Sequence, residues 1–227
     1  MTSSTSNATP GLPRRPGQRP AKPTRAQKVE RTRASLFEAA ARVVGRVGYT
    51  GAIVTSITSE ASIGLGTFYN YFESRQDLFD QLLPAISERM LEFIKERSAA
   101  ASSEQEREEQ SFRAFFDFLA EHPEFFRVMY EAEVFAPEAY QRHTEMVHGG
   151  FIRILAKARR AGDIAPFSEQ QIEAVALILM GARHYLCQRY GRQNGWTEKL
   201  PDTVVEAYMG LLRHGLYGPA PQTGEAK

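Results

Sequence analysis

The sequence predicts an all-α protein. Apolar residues recur three and four positions apart in one stretch after another, and no stretch alternates apolar and polar as a half-buried strand does. Glycines and prolines fall at the stretch boundaries. The 227 residues are 42% hydrophobic and 24% charged, enough apolar material for a real core. The longest uncharged apolar run, Ala174 to Ala182, is enclosed by Glu173 and Arg183, far short of the ~20 residues that span a bilayer. Near the N-terminus Arg14-Arg15 is followed by proline and glycine rather than by the apolar core of a signal peptide. The sole cysteine, Cys187, excludes an intrachain disulfide. These features point to a cytoplasmic protein with no membrane partner.

Residues 1–24 read as a disordered, basic, Pro-rich tail, with Pro10, Pro13, Pro16, Pro20 and Pro23 among Ser, Thr and Gly. A helix begins at Arg25, its inner face marked by Leu36, Phe37, Ala40, Val43, Val44 and Val47, and a left-handed Gly48 stops it. Two short helices follow, Val54–Ala61 and Leu65–Tyr71. An amphipathic helix then runs from Leu78 to Arg97 with Pro84 inside it. Phe112, Phe115, Phe116 and Leu119 form a stripe ended by His122-Pro123, and Phe125, Val128 and Met129 form a shorter one closed by Pro137. A helix from about Glu138 to Arg160 stops at Gly162. The most apolar stretch, Ser168 to Tyr190, opens on a capping box made by Ser168 and Gln171. A Gly191–Gly195 loop leads to a last helix from Pro201 to Leu216, and residues 218–227 read as a flexible tail.

The net charge of +1 conceals an asymmetry. Residues 1–33 hold eight Lys or Arg against one acid, Glu30, while the rest of the chain is mildly acidic. A basic end on an acidic body suits a polyanion partner, and it equally suits a solubilising tail.

The stretch from Val54 to Phe72 is the informative one. Each of its two helices has only about two turns, too few to persist in water, so both depend on packing against the Leu36–Val47 face. Two short helices joined by a three-to-four-residue turn and packed on a third make a helix-turn-helix, whose second helix enters the major groove. That second helix starts with little bulk at Gly64-Leu65-Gly66-Thr67, which lets its N-terminus approach a phosphate or base edge. Phe68 and Phe72 serve as core anchors, Tyr69, Asn70 and Tyr71 carry polar groups outward, and Arg75 stands one turn on, placed for the phosphate backbone.

The run Ala61-Ser62-Ile63-Gly64-Leu65-Gly66-Thr67-Phe68-Tyr69-Asn70-Tyr71-Phe72-Glu73-Ser74-Arg75, preceded by Gly48-Tyr49 and Val54-Thr55-Ser56-Ile57, resembles the DNA-binding domain of the TetR family of bacterial transcription regulators. The resemblance covers residues 30–80. It departs from the family pattern at Ala52, where a capping Thr is usual, at Ser62, where Gly is usual, and at Gly64, where a Ser or Thr cap is usual. Ser62 is therefore expected in a strained turn.

The resemblance implies DNA contacts from Thr55, Ser56, Leu65, Gly66, Thr67, Tyr69, Asn70, Tyr71 and Arg75. Asn70 either reads adenine bidentately or bonds phosphate. The basic arm, residues 14–33, can track phosphates or enter a minor groove. The implied organisation is a DNA-binding domain over residues 25–77 and a ligand-binding and dimerisation domain over 78–217. The implied partners are a double-stranded operator, a second copy of the chain and a small-molecule effector, with no cofactor.

The last two helices are the candidates for the subunit interface, through Ile172, Val175, Leu179, Leu186, Val205, Tyr208 and Leu212. Because Leu177, Met180, His184 and Cys187 lie on other faces, the penultimate helix is apolar nearly all round and needs cover on both sides. The middle helices offer an aromatic and methionine-rich pocket for an apolar or aromatic ligand, with Phe112, Phe116, Met129, Tyr130, Met146, Phe151 and His184 as its candidates. As a hinge between pocket and head, the Leu78–Arg97 helix has Pro84 as its pivot.

Enzymatic readings find little support. Gly64-Leu65-Gly66 lacks the third glycine of a dinucleotide loop, since Tyr69 stands there. Glu145 and His148 have di-iron spacing but no second copy. A helical ligand-binding protein or enzyme without DNA activity is the alternative reading.

Overall fold

The computed structural model describes residues 24–191 and 199–216, and every regular element among them is helical. The expectations for residues 1–23, for the interior of the Gly191–Gly195 loop and for residues 218–227 lie outside the described residues. The described helices are α1 (Arg25–Gly51), α2 (Val54–Glu60), α3 (Leu65–Phe68), α4 (Arg75–Arg97), α5 (Glu104–Glu121), α6 (Glu124–Phe135), α7 (Pro137–Ala161), α8 (Glu169–Leu186) and α9 (Asp202–His214), with a π-helical turn at Cys187–Gly191. Thr24, placed by the sequence reading in the tail, instead caps α1. Its hydroxyl accepts the Gln27 N–H at 3.2 Å, and its own N–H donates to Gln27 Oε1 at 2.9 Å, a reciprocal capping box.

Leu36, Ala40, Val43 and Val44 of α1 are buried, together with Ile57 of α2 and Phe68 and Phe72 around α3. Phe37 and Phe72 meet edge to face at 5.4 Å. This packing supports helices that cannot stand alone. The Glu60 carboxylate adds an electrostatic tie from α2 to α1, accepting from Arg42 at 2.7 Å and from Arg46 at 2.6 Å. These two guanidiniums, Arg42 first, hold its pKa below the usual range.

Gly48 has φ +75°, and the chain kinks there before one more turn to Gly51. Helix α6 closes over the kink. Arg127 donates to the Gly45 and Arg46 carbonyls at 3.3 and 3.1 Å, which lie in the last turn before the kink. Glu131 accepts the Tyr49 N–H at 2.8 Å and Arg127 Nε at 2.6 Å. The positive φ selects glycine, and a Cβ on residue 48, 2.6 Å from Arg127 Nη2 and 2.8 Å from Glu131 Oε2, would also displace that ion pair.

Helix α4 begins at Arg75, three residues before the sequence reading starts it, because the Ser74 hydroxyl caps it by accepting the Asp77 N–H at 3.0 Å. It therefore runs unbroken across the expected domain boundary at 77–78 and packs on α1 as well as on α5 and α7. Pro84 removes the helical donor to the Asp80 carbonyl, and Arg142 of α7 donates to that oxygen instead. One apolar core is continuous from α1 through α9. Among the described residues no helix is long and apolar enough to cross a membrane.

Candidate DNA interface, cavity and apolar face

At one end of the molecule α2 and α3 turn their polar sides outward. Thr55, Leu65, Gly66, Asn70 and Arg75 are exposed, Tyr69 is 56% exposed, and Ser56, Thr67 and Tyr71 are half-buried. Phe68 and Phe72 beneath them are buried, as anchors must be. The regular helix ends at Phe68, earlier than the expected Tyr71. Tyr71 and Phe72 still donate their N–H groups to the Phe68 carbonyl, at 2.9 and 3.1 Å, so the segment keeps its turns. A Cβ on Gly66 would meet nothing within 4 Å, which leaves that surface open to close approach.

The departures at Ala52, Ser62 and Gly64 have visible consequences. The residues before α2 and α3 are Ile53 and Gly64, and neither supplies a side-chain cap. The α2 C-terminus is closed by two backbone bonds, Ser62 N–H to the Ser59 carbonyl at 3.1 Å and Ile63 N–H to the Thr58 carbonyl at 3.0 Å. That pattern places Ser62 at the left-handed position usually held by glycine. Its φ is +57°, the sole positive value for a non-glycine among the described residues. Within the described part of the basic arm, Arg25, Lys28 and Arg31 are exposed. Arg33 instead lies over the Phe37 and Phe72 rings at 5.6 and 5.8 Å.

A cavity of about 250 Å³ lies among α4 to α8. Three of the residues expected to line it do so: Met129, Phe151 and His184. Phe112 and Phe116 are core. Phe112 stacks on Tyr208 at 3.9 Å and meets Phe116 edge to face at 5.0 Å. Tyr130 stands behind the wall and shares a hydrogen bond with His184 Nε2 at 3.1 Å. Met146 is half-buried and is not in the lining. Helical spacing fixes which residues share a stripe but not which stripe meets a void rather than a neighbour.

His143, Thr144 and Arg183 also stand in the wall, where the sequence alone does not place them. Tyr140, His143 and Val147 at i, i+3 and i+7 were the available signal. His143 Nδ1 lies 2.7 Å from Ser87 Oγ, and burial pushes its pKa down to about 4. Arg183 is buried yet paired, donating to Glu108 at 2.8 Å and to the Tyr208 hydroxyl at 2.9 Å. Burial raises the Cys187 thiol, which makes it a core group rather than a nucleophile.

The residues expected at the subunit interface lie mostly within this chain's own core. Ile172, Leu179, Val205, Tyr208 and Leu212 are buried inside this chain, and Val175 and Leu186 are half-buried. The apolar residues left outside are Leu177, Ile178 and Tyr185 on α8 and Leu211 on α9, at 54, 66, 71 and 73% exposure. On a helix apolar nearly all round, the stripe of Ile172, Ala176 and Leu179 packs inward, with α7 as a neighbour, and the opposite stripe is the one left uncovered.

Residues 36–82 match the model of the tetR family of bacterial regulatory proteins. Over 109 residues the chain is 30% identical to the HTH-type transcriptional repressor NicS of Pseudomonas putida, covering 46% of this chain and 50% of that one. Over 69 residues it is 35% identical to the fatty acid metabolism regulator protein of Bacillus subtilis, covering 29% and 36%. The chain thus spans half the length or less of these curated relatives. Among solved structures, the fatty acid degradation regulator FadR from Bacillus halodurans superposes with a TM-score of 0.65 at 17% identity, over 80% of this chain and 94% of that one. A TetR family transcription regulator from Marinobacter aquaeolei does so at 0.64 and 19%, over 84% and 98%. At those identities the likeness is one of fold. Motif and family model agree over residues 36–82, which make a helix-turn-helix segment of the tetR type, and the described chain has the fold of solved TetR-type regulators.

Proposed function

We propose that this protein is a cytoplasmic transcription regulator that binds a palindromic operator as a homodimer, represses by occupying it, and leaves it when a small apolar or aromatic effector fills the cavity among α4 to α8. The observation that carries the reading is the exposure of Thr55, Tyr69, Asn70 and Arg75 on one surface above the buried Phe68 and Phe72. Thr55, Ser56 and Arg75 meet phosphates, while Thr67, Tyr69, Asn70 and Tyr71 reach base edges. Leu65 and Gly66 let the helix N-terminus sit close to the duplex. Arg25, Lys28 and Arg31 at the start of α1 add phosphate contacts. The repressor and regulator designations of the two relatives support control of transcription as the output.

The homodimer forms through Leu177, Ile178, Tyr185 and Leu211, whose exposed apolar surface needs cover in water. Two-fold symmetry then sets two reading heads against two half-sites. Effector entry displaces α4 and, with it, the separation of the heads. A coupling of ~1–3 kcal/mol suffices for a 5–150-fold loss of operator affinity.

Selection of genomic fragments on the full chain, followed by anisotropy titration across salt concentrations, tests the reading. Log affinity should fall linearly with log salt, and Arg75→Ala should lower that slope by about one. No binding to any duplex at low salt would leave a helical ligand-binding protein instead.

A further inference from the structure

The cavity presents an acceptor at a buried imidazole, and the guanidinium in its wall is paired. Ser87 has one hydroxyl proton and two close neighbours: the Leu83 carbonyl at 2.6 Å and His143 Nδ1 at 2.7 Å. A carbonyl cannot donate, so the hydroxyl proton goes to Leu83 and the contact with Nδ1 is a bond only if the imidazole supplies Nδ1–H. Burial pushes the imidazole pKa down to about 4, so at neutral pH the ring carries a single proton, and Ser87 holds it on Nδ1. Nε2, across a ring that lines the cavity, is left as a bare lone pair. Thr144, also in the lining, likewise spends its hydroxyl proton on the Tyr140 carbonyl at 3.0 Å.

No unpaired guanidinium or ammonium in the lining awaits an anion. Arg183, the cation in the wall, is neutralised by Glu108 at 2.8 Å and covered by the Phe151 and Phe112 rings at 4.9 and 5.2 Å. An ionised carboxylate buried without a free cation is strongly disfavoured. The remaining lining is largely aromatic, aliphatic and thioether, and a cavity of about 250 Å³ takes one or two rings, given that ~150 Å³ takes benzene.

Resting on the reading of this cavity as the effector site, we propose that the effector is an uncharged one- or two-ring aromatic molecule whose hydrogen-bond donor, a phenolic hydroxyl or ring N–H, is received by His143 Nε2 under the control of Ser87.

Calorimetric titration of the full chain with 2-naphthol, 2-methoxynaphthalene and naphthalene-2-carboxylate, at neutral pH, tests this on one ring frame. We expect 2-naphthol to bind about tenfold tighter than the ether, the worth of one well-made hydrogen bond, and the carboxylate not to bind. His143→Leu should bring naphthol and ether to within about twofold of each other. Ser87→Ala, a smaller change that leaves the ring in place, should free the tautomer and shrink the naphthol preference. Ether or carboxylate binding as tightly as naphthol, or a preference that survives in His143→Leu, would overturn the donor rule while the cavity remained a ligand site. Failure of all three probes to bind the wild-type chain would remove the cavity reading and the proposal together.

Discussion

The Glu131 carboxylate accepts the Tyr49 N–H at 2.8 Å, so helix α6 of the body takes up the amide that the Gly48 kink frees in α1 of the reading head. The same carboxylate holds Arg127, which caps the Gly45 and Arg46 carbonyls. Met129 and Tyr130, on the same helix, stand at or behind the cavity wall. Helix α6 therefore joins cavity to head by a route separate from α4. Glu131→Ala should destabilise the fold by about 1–3 kcal/mol, because a half-buried amide and Arg127 both lose their acceptor. Urea midpoints of wild type and variant measure it, and an unchanged midpoint would show that water replaces the carboxylate at no loss.

Ser62→Gly should stabilise the protein. With φ at +57°, Ser62 bears a Cβ in a conformation that costs an L-residue roughly 1 kcal/mol. The glycine variant should gain about that much in a denaturant titration without altering the salt dependence of DNA binding.

Arg142→Ala should loosen α4 at its proline. Without the guanidinium, the Asp80 carbonyl has neither the amide that Pro84 lacks nor a side-chain donor. Amide hydrogen exchange over residues 80–88 should quicken in the variant while α1 exchange stays unchanged. Equal exchange at both would mean that water serves the carbonyl equally well.

Leu211→Glu and Leu212→Glu should part company although they are neighbours. Leu211 is 73% exposed and Leu212 is buried. The first should dissociate the proposed homodimer in sedimentation while leaving helicity intact, and the second should unfold the chain by burying an unpaired charge. A monomeric wild type would remove the interface.

His143 gives the stability a pH dependence with a definite sign. An ordinary imidazole takes its proton near pH 6.5 and the buried ring takes it only near 4, so between those values the unfolded chain binds a proton that the folded one refuses. Stability present above pH 6.5 should therefore drain as pH falls toward 4, by on the order of 3 kcal/mol. Urea midpoints at pH 7 and 4.5 should differ less in His143→Leu than in the wild type, and equal differences would place that pH dependence elsewhere.

Local chemistry by itself determined the all-helical class, the helix break at Gly48 and the helix stop at Gly162, the Ser168–Gln171 capping box and the outward polar side of the segment from Thr55 to Arg75. Each follows from spacing or from one residue's backbone freedom, and neither needs a partner distant in sequence. Only tertiary packing decided which apolar stripe of α8 faces inward, that Phe112 stacks on Tyr208 instead of lining a cavity, and that His143 is held by Ser87 across 56 positions of chain. Burial and hydrogen bonding depend on what arrives from elsewhere in the fold, and helical periodicity carries no record of the neighbour that comes to meet each face.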